Sequence, residues 1–360
     1  MRQSSADRFF QLLRFSIGAS DVFPFDISGG MWEDMYEIAQ QQSLLGILFY
    51  GIEKHPEMRP PRELLLRWYA ISEQIKLANQ KTNKAVVELR EFFQEQGFRS
   101  CILKGQGNAL MYPNPYIRTS GDIDIWLEGG HDRIMEFVNG RWSDMLERYH
   151  HVEIPAWKGV AVEIHFTPSY MHAPWMNRRM QHWFAEQAEK QFSNRTELPD
   201  GAGSICIPTE EFNLIYQLNH IYRHLFSEGI GLRQMMDYYF IIRNEELGMR
   251  NYENELMNLG LRKFAGAVMW VLHEVFGLEE KFYIVPADER RGKLLLEEIL
   301  IGGNFGQYDT RLGNKDGEGK LHRYFRMSLR NMRFIKHYPS EALCEPVFRT
   351  WHFFWKLLNG

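Results

Sequence analysis

Gly121-Asp122-Ile123-Asp124-Ile125-Trp126-Leu127 and, downstream, Val160-Ala161-Val162-Glu163-Ile164-His165-Phe166 decide the fold class. Both alternate with the period of two of a half-buried strand. In the first, Ile123 and Ile125 face one side while Asp122 and Asp124 face the other. In the second, Val160, Val162, Ile164 and Phe166 form an apolar face, opposite Ala161, Glu163 and His165. Two carboxylates on one strand face repel unless something positive lies between them. A hard cation with oxygen ligands, Mg2+ or Mn2+, is the natural answer. An Asp-x-Asp pair alone is a common pattern, and Glu163 with His165 equally fits the solvated face of an ordinary amphipathic strand. If the two strands pair, Glu163 reaches the same cation as Asp122 and Asp124.

Working outward, Ser100–Lys104 has the pattern of a short buried strand. Gly105-Gln106-Gly107 then turns into a short helix, Asn108–Tyr112, stopped by Pro113. Backbone N–H groups at such a turn suit phosphate, and Lys104 adds charge; alternatively the glycines only make the turn. The motif is neither a P-loop nor a dinucleotide fingerprint. A helix is expected over about 132–149, carrying Ile134, Phe137, Val138, Trp142, Met145 and Leu146. His151–Ile154 and Val160–Phe166 form a hairpin around Lys158-Gly159. This order of elements predicts a small mixed sheet with helices packed against it.

Both flanks have helical periodicity. After Pro60-Pro61, residues Ile71, Ile75, Ala78, Thr82, Ala85, Leu89 and Phe92 recur at spacings of four and three, the apolar face of a long packing helix ending near Gly97. Beyond residue 200, helices are expected over 209–227, 231–246, 262–276, 287–300, 321–336 and 341–357, with a glycine-rich, charged loop from Gly302 to Gly319. The fold class is therefore α+β: a helical region over 1–97, a small mixed-sheet core over 98–200 and a second helical region over 201–360.

With 360 residues, 44% of them hydrophobic, the chain can bury a large core. A formal net charge of -4 argues against broad non-specific nucleic-acid binding. The three cysteines, Cys101, Cys206 and Cys344, form no CxxC pair and suggest buried thiols in a reducing compartment. No signal-peptide pattern and no membrane-length apolar run is present, so the expectation is a cytoplasmic protein with no membrane partner. His220 and His224 have the i, i+4 spacing of zinc ligands, but Ile221 stands where a metalloprotease needs its base. With Arg233 and Asp237 they either border the site, beside His165 and the acceptor, or form a buried network between two helices. Gly302-Gly303-Asn304-Phe305-Gly306 is either an acceptor loop or a surface loop.

Leu103-Lys104-Gly105, Arg118-Thr119-Ser120-Gly121-Asp122-Ile123-Asp124-Ile125 and Val162-Glu163-Ile164-His165 together resemble a bacterial family of uncharacterised nucleotidyltransferases, in the superfamily typified by DNA polymerase β. The resemblance is close over about 98–168 and looser in the helical flanks. It implies a nucleotidyltransferase core that moves a nucleoside monophosphate from an NTP such as ATP to a hydroxyl acceptor, releasing pyrophosphate. Asp122, Asp124 and Glu163 would be its catalytic carboxylates and its Mg2+ or Mn2+ ligands. Lys104, Gly105, Gln106, Gly107, Arg118, Ser120 and Gly121 would bind the nucleotide. The acceptor is left open among a sugar, another small molecule, a protein and an RNA. Two positions depart from the superfamily pattern: Gly105-Gln106 replaces its usual Gly-Ser pair, and the third carboxylate is a glutamate. The alternative is a catalytically inactive domain of the same fold that binds nucleotide or a partner protein. A helical scaffold with an incidental acidic cluster is the third reading.

Overall fold

The computed structural model describes residues 3–24, 27–243, 251–311 and 319–359. Four helices open the chain: α1 (Gln3–Ser16), α2 (Gly29–Gln41), α3 (Leu45–Glu53) and the long α4 (Arg62–Glu95). The prolines before α4 suit its first turn, and Gly97, at φ 80°, lets the chain leave it. The buried stripe of α4 differs from the expected one. Ala78 is exposed, while Asn79, Thr82, Asn83 and Val86 are buried. The middle of α4 packs on polar groups, which apolar spacing does not register.

A five-stranded mixed sheet follows, built from β1 (Ser100–Ile102), β2 (Ile123–Leu127), β3 (Leu146–Glu147), β4 (His151–Trp157) and β5 (Val160–His165) in the order β1-β2-β5-β4-β3. β2 and β5 are parallel neighbours, and the other pairs are antiparallel. Between β1 and β2 lies the short α5 (Gly105–Ala109), and after β2 comes α6 (Gly130–Asn139). The single helix expected over 132–149 is thus shorter. It ends at Gly140, and Leu146 and Glu147 pair with Glu153 and Val152. Lys158 and Gly159, at φ 52° and 72°, form the hairpin turn between β4 and β5.

Downstream lie α7 (Pro174–Gln191), a two-stranded sheet of β6 (Arg195–Leu198) and β7 (Gly203–Cys206), α8 (Glu210–Ser227), α9 (Leu232–Ile242), α10 (Glu253–Asn258), α11 (Arg262–Phe276), α12 (Glu289–Gly302), α13 (Lys320–Met332) and α14 (Pro339–Asn359). Residues 244–246 of one expected helix, and 312–318 of the glycine-rich stretch, lie outside the described residues. Among the described residues no helix is long and apolar enough to cross a membrane. Cys101 and Cys206 are buried, whereas Cys344 is only half-buried.

Two apolar clusters divide the molecule. Ile123, Ile125, Leu127, Val162 and Ile164 on one sheet face pack with Ala85, Leu89 and Phe93 of α4 and Ile134 and Val138 of α6. On the opposite face Trp126 enters the larger helical cluster and stacks on Phe212 of α8, with ring centroids 5.9 Å apart. Asp124, on the same face as Trp126, is therefore covered by α8.

Candidate functional site

Parallel pairing of β2 with β5 sets Asp124 opposite Glu163 and Trp126 opposite His165. Directly opposed residues of neighbouring strands share a sheet face. One ligand atom each from Asp124, Glu163 and His165 lies within 4.8 Å of the others. Asp124 is only 4% exposed, while Asp122, one residue ahead of β2, stands at the exposed rim. β4 extends the face: Glu153 is opposite Glu163, and His151 opposite His165. His151 Nε2 lies 3.6 Å from Glu163 Oε2 and 3.8 Å from Glu153 Oε1.

Positive groups compensate the carboxylates unequally. Lys104 Nζ lies 2.7 Å from Asp124 Oδ1, and His165 Nε2 lies 3.0 Å from the same oxygen. Burial alone would raise the Asp124 carboxyl, but Lys104 and His165 outweigh it and hold the group below the usual carboxylate range. Glu163 behaves alike: burial raises it, and the hydrogen bond from His165 leads the opposing effects that bring it down to about 2. Asp122 is pushed up to about 6, first by the charge of Asp124 and then by loss of water around its carboxyl. Burial opposes charge on His165, yet its bonds to Asp124 and Glu163 raise it. One carboxylate of the set is thus crowded, and two are neutralised.

Lys104 owes its position to the backbone. It has φ 64° and ψ -135°, a region a side-chain-bearing residue enters only at a cost of about 1–3 kcal/mol. Gly105 follows at φ 43°, where glycine pays no steric penalty. The Gly107 amide donates to the Lys104 carbonyl at 3.0 Å and closes the turn. A Cβ on Gly107 would stand 2.9 Å from the Ile207 side chain, so close packing also requires this glycine. Lys104 Nζ lies 3.5 Å from His220 Nε2 of α8. Burial, then Lys104, pushes His220 well down and keeps it neutral.

Two of the side chains expected at the nucleotide, Gln106 and Arg118, are engaged within the protein. Gln106 is buried and donates to Asn83 Oδ1 of α4. Arg118 is buried in a two-toothed ion pair with Asp237 of α9, both bonds 2.8 Å, and Tyr112 Oη donates to the same carboxylate at 2.6 Å. Asn79 of α4 donates to the Arg118 carbonyl at 2.8 Å. This assembly ties the loop before β2 to α4 and α9. Ser120 is half-buried and Gly121 exposed in that loop. Arg233 donates to the Thr119 carbonyl at 3.0 Å, and Asp122 is among the charges acting on it. The His220 and His224 rings lie 4.3 Å apart, and Phe305 packs 5.4 Å from His224. The Gly302–Gly306 segment therefore rests on α8 through Phe305.

The sequence pattern singles out neither His150 nor His151 as a site residue, while Arg223 lies within the His220–His224 segment. Arg223 sits 5.1 Å over the Tyr170 ring and acts electrostatically on His150, His151 and His220. A groove of about 610 Å3 near the turn is lined by Gly107, Asn108, Tyr112, Asn213 and Phe240 rather than by the carboxylates.

Residues 28–277, well over half of the chain, match the family described as uncharacterised nucleotidyltransferase. The chain belongs to that family. Nucleotidyl transfer is therefore its general chemistry, and nucleotide its general substrate. Among solved structures this nucleotidyltransferase is similar to an antigenic nucleotidyltransferase-like protein from Paracoccidioides brasiliensis, at 13% identity and a TM-score of 0.34, over 58% of this chain and 94% of that one. It is also similar to the Thermotoga maritima CCA-adding enzyme complexed with tRNA, at 10% identity and a TM-score of 0.19, over 85% of this chain and 81% of the other. No curated protein matches.

Proposed function

We propose that this nucleotidyltransferase moves a nucleoside monophosphate from an NTP, with ATP the first to test, to a hydroxyl acceptor, and that Asp122, Asp124 and Glu163 hold Mg2+ or Mn2+ for the reaction. The observation that carries the reading is the register of β2 and β5, which sets Asp124 against Glu163 with Asp122 two residues before it. The residues fit a divalent cation because Asp122 remains electrostatically crowded although Lys104 already contributes one positive charge.

The acceptor oxygen attacks the α-phosphorus, the bond to the β-phosphate oxygen breaks, and pyrophosphate leaves. When bound, the cations neutralise phosphate oxygens and lower the pKa of the acceptor hydroxyl. Lys104, whose ammonium lies against Asp124, turns from that carboxylate toward the triphosphate as nucleotide enters. Glu163, held ionised at neutral pH and 26% exposed at its side chain, accepts the acceptor proton when not engaged by a cation. Arg118 acts indirectly, by fixing the loop that carries Asp122.

A second reading, a nucleotide-binding domain without turnover, draws on Gln106 and Arg118, whose side chains are committed to Asn83 and Asp237. Calorimetric titration with ATP and Mg2+, followed by a pyrophosphate-release assay over an acceptor panel of sugars, small hydroxyl compounds, proteins and RNA, separates the two. Release that disappears in Asp124→Asn supports transfer. Binding without release on any acceptor supports the second reading, and no metal-dependent binding removes both.

A further inference from the structure

Beside the acidic residues lies a cluster that the transfer reading does not use. His150, His151 and His165 are 4%, 7% and 2% exposed. One ring nitrogen from each lies within 4.8 Å of the others. His150 Nδ1, His151 Nε2 and His165 Nδ1 have no hydrogen-bond partner among the described residues. The remaining nitrogens are engaged: His151 Nδ1 with His150 Nε2 at 3.3 Å, and His165 Nε2 with Asp124 Oδ1 at 3.0 Å. A buried polar atom without a partner is costly, so three in one cluster need a physical reason. Mutual hydrogen bonding does not supply it, because the contact between His150 and His151 uses neither unpartnered nitrogen.

We infer that His150, His151 and His165 form a nitrogen-donor site for a borderline divalent transition cation of the Zn2+ class, distinct in chemistry from the oxygen-donor site beside it. Imidazole nitrogen suits Zn2+, Co2+ and Ni2+, whereas Mg2+ takes oxygen. Burial favours the neutral, ligating imidazole at His150 and His151, whereas the bonds of His165 to Asp124 and Glu163 favour its charged form, so an ion takes the place of that proton. Glu163 Oε2, 3.6 Å from the unpartnered His151 Nε2, is the nearby carboxylate for a fourth position, while its 3.6 Å contact with His165 is to Nε2, the nitrogen bonded to Asp124. Asp124 against His165 is the kind of carboxylate partner that orients a ligating imidazole. Closing on an ion at about 2.0–2.1 Å per bond requires the rings to draw in by roughly an ångström. An ion there pins β4 to β5 at the strand that carries Glu163 and competes with the oxygen-donor site for that carboxylate.

The site does not depend on nucleotidyl transfer, and its test needs no nucleotide. Chelator-stripped protein is titrated with Co2+, whose visible absorption reports nitrogen-rich tetrahedral coordination. The expected result is one Co2+ per chain with that absorption, displaced by equimolar Zn2+ and unaffected by a large excess of Mg2+. His150→Gln and His151→Gln, each checked for folding by circular dichroism, weaken binding at least a hundredfold, while Asp122→Asn binds Co2+ as wild type does. Absence of the absorption in wild type overturns the site whatever the variants do. Equal binding by the folded histidine variants, or loss in Asp122→Asn alone, also overturns it, because the ion then lies among the carboxylates. Failure of ATP and Mg2+ binding would leave this result untouched.

Discussion

The Lys104 ammonium and the buried Asp124 carboxylate, 2.7 Å apart, form an ion pair inside the proposed metal site. Without a cation, Lys104 provides the charge that Asp124 needs. In the proposed reaction the same ammonium meets a phosphate of the nucleotide.

Lys104→Met separates these two duties. It keeps most of the side chain's bulk and removes its charge. A charge-assisted phosphate contact is worth roughly 1.5–3 kcal/mol, so ATP binding in Mg2+ should weaken about ten- to a hundredfold. Without nucleotide, Mg2+ should bind more tightly, because its competitor for Asp124 has gone. The metal-free variant should melt lower than wild type and recover part of the loss on adding Mg2+. Titration calorimetry and melting curves on one preparation read both effects. Unchanged ATP affinity would confine Lys104 to stability.

Gln106→Ser restores the residue usual in the superfamily, yet it should not restore a phosphate contact. The Gln106 side chain runs to Asn83 of α4, and Asn79 lies one turn earlier on the same helix. The variant should lose about 1–2 kcal/mol of stability by stranding Asn83 and leave ATP affinity within twofold. Tighter ATP binding would mean that position 106 faces the nucleotide.

Arg118→Ala tests whether this arginine is structural. It leaves the buried Asp237 and Tyr112 hydroxyl without their two-toothed partner and with the charge of Arg233 still acting on them, a loss of roughly 3–5 kcal/mol. Asp237→Ala should cost a similar amount, and the double variant much less than the sum. Denaturant unfolding of the four proteins completes the cycle. Additive losses would show that the pair is not coupled.

The strands bearing Asp124 and Glu163 were legible because alternation is local and each strand carries its polar face in its own residues. Their mutual register was an assumption that only tertiary structure could supply. The histidines of β4 were harder to place. Counting back from the Trp157–Val160 pair beside the hairpin turn would set Glu153 opposite Ile164, but a bulge between Ile154 and Trp157 shifts the register by one residue. Glu153 thereby comes opposite Glu163, and His151 opposite His165. No residue pattern in His151–Trp157 announces that bulge. The middle of α4 was misjudged for a related reason: Asn79 and Asn83 are buried by polar partners more than twenty residues away in sequence. α7 was not anticipated because only Met180, Phe184 and Gln191 along its length are buried, too sparse a stripe for periodicity to reveal.

Asp122 and Asp124, two residues apart, should respond oppositely to neutralisation. In the folded protein Asp122 titrates near 6, above its ordinary 3.8, because Asp124 repels its charge. The folded state therefore holds this proton more tightly than the unfolded state. Its contribution to stability is fully present below about pH 4 and is lost as pH rises through about 6. Asp124 lies below its ordinary value, because Lys104 and His165 outweigh its burial. Its contribution is present above about pH 4 and lost as pH falls further. Asp122→Asn should then stabilise the metal-free protein at pH 7 by on the order of 1 kcal/mol, allowing for screening at the exposed rim, or about 2 °C in Tm. The gain should shrink as pH falls toward 4. Asp124→Asn should destabilise at pH 7 by a few kcal/mol, since it strands Lys104 and His165. Both variants should lose the Tm rise that wild type shows with Mg2+ and ATP. Melting curves from pH 4 to 8, with and without Mg2+ and ATP, give all these quantities. Equal destabilisation by both substitutions at pH 7 would refute the crowding of Asp122, and a preserved ligand-induced rise in Asp124→Asn would remove Asp124 from the metal site.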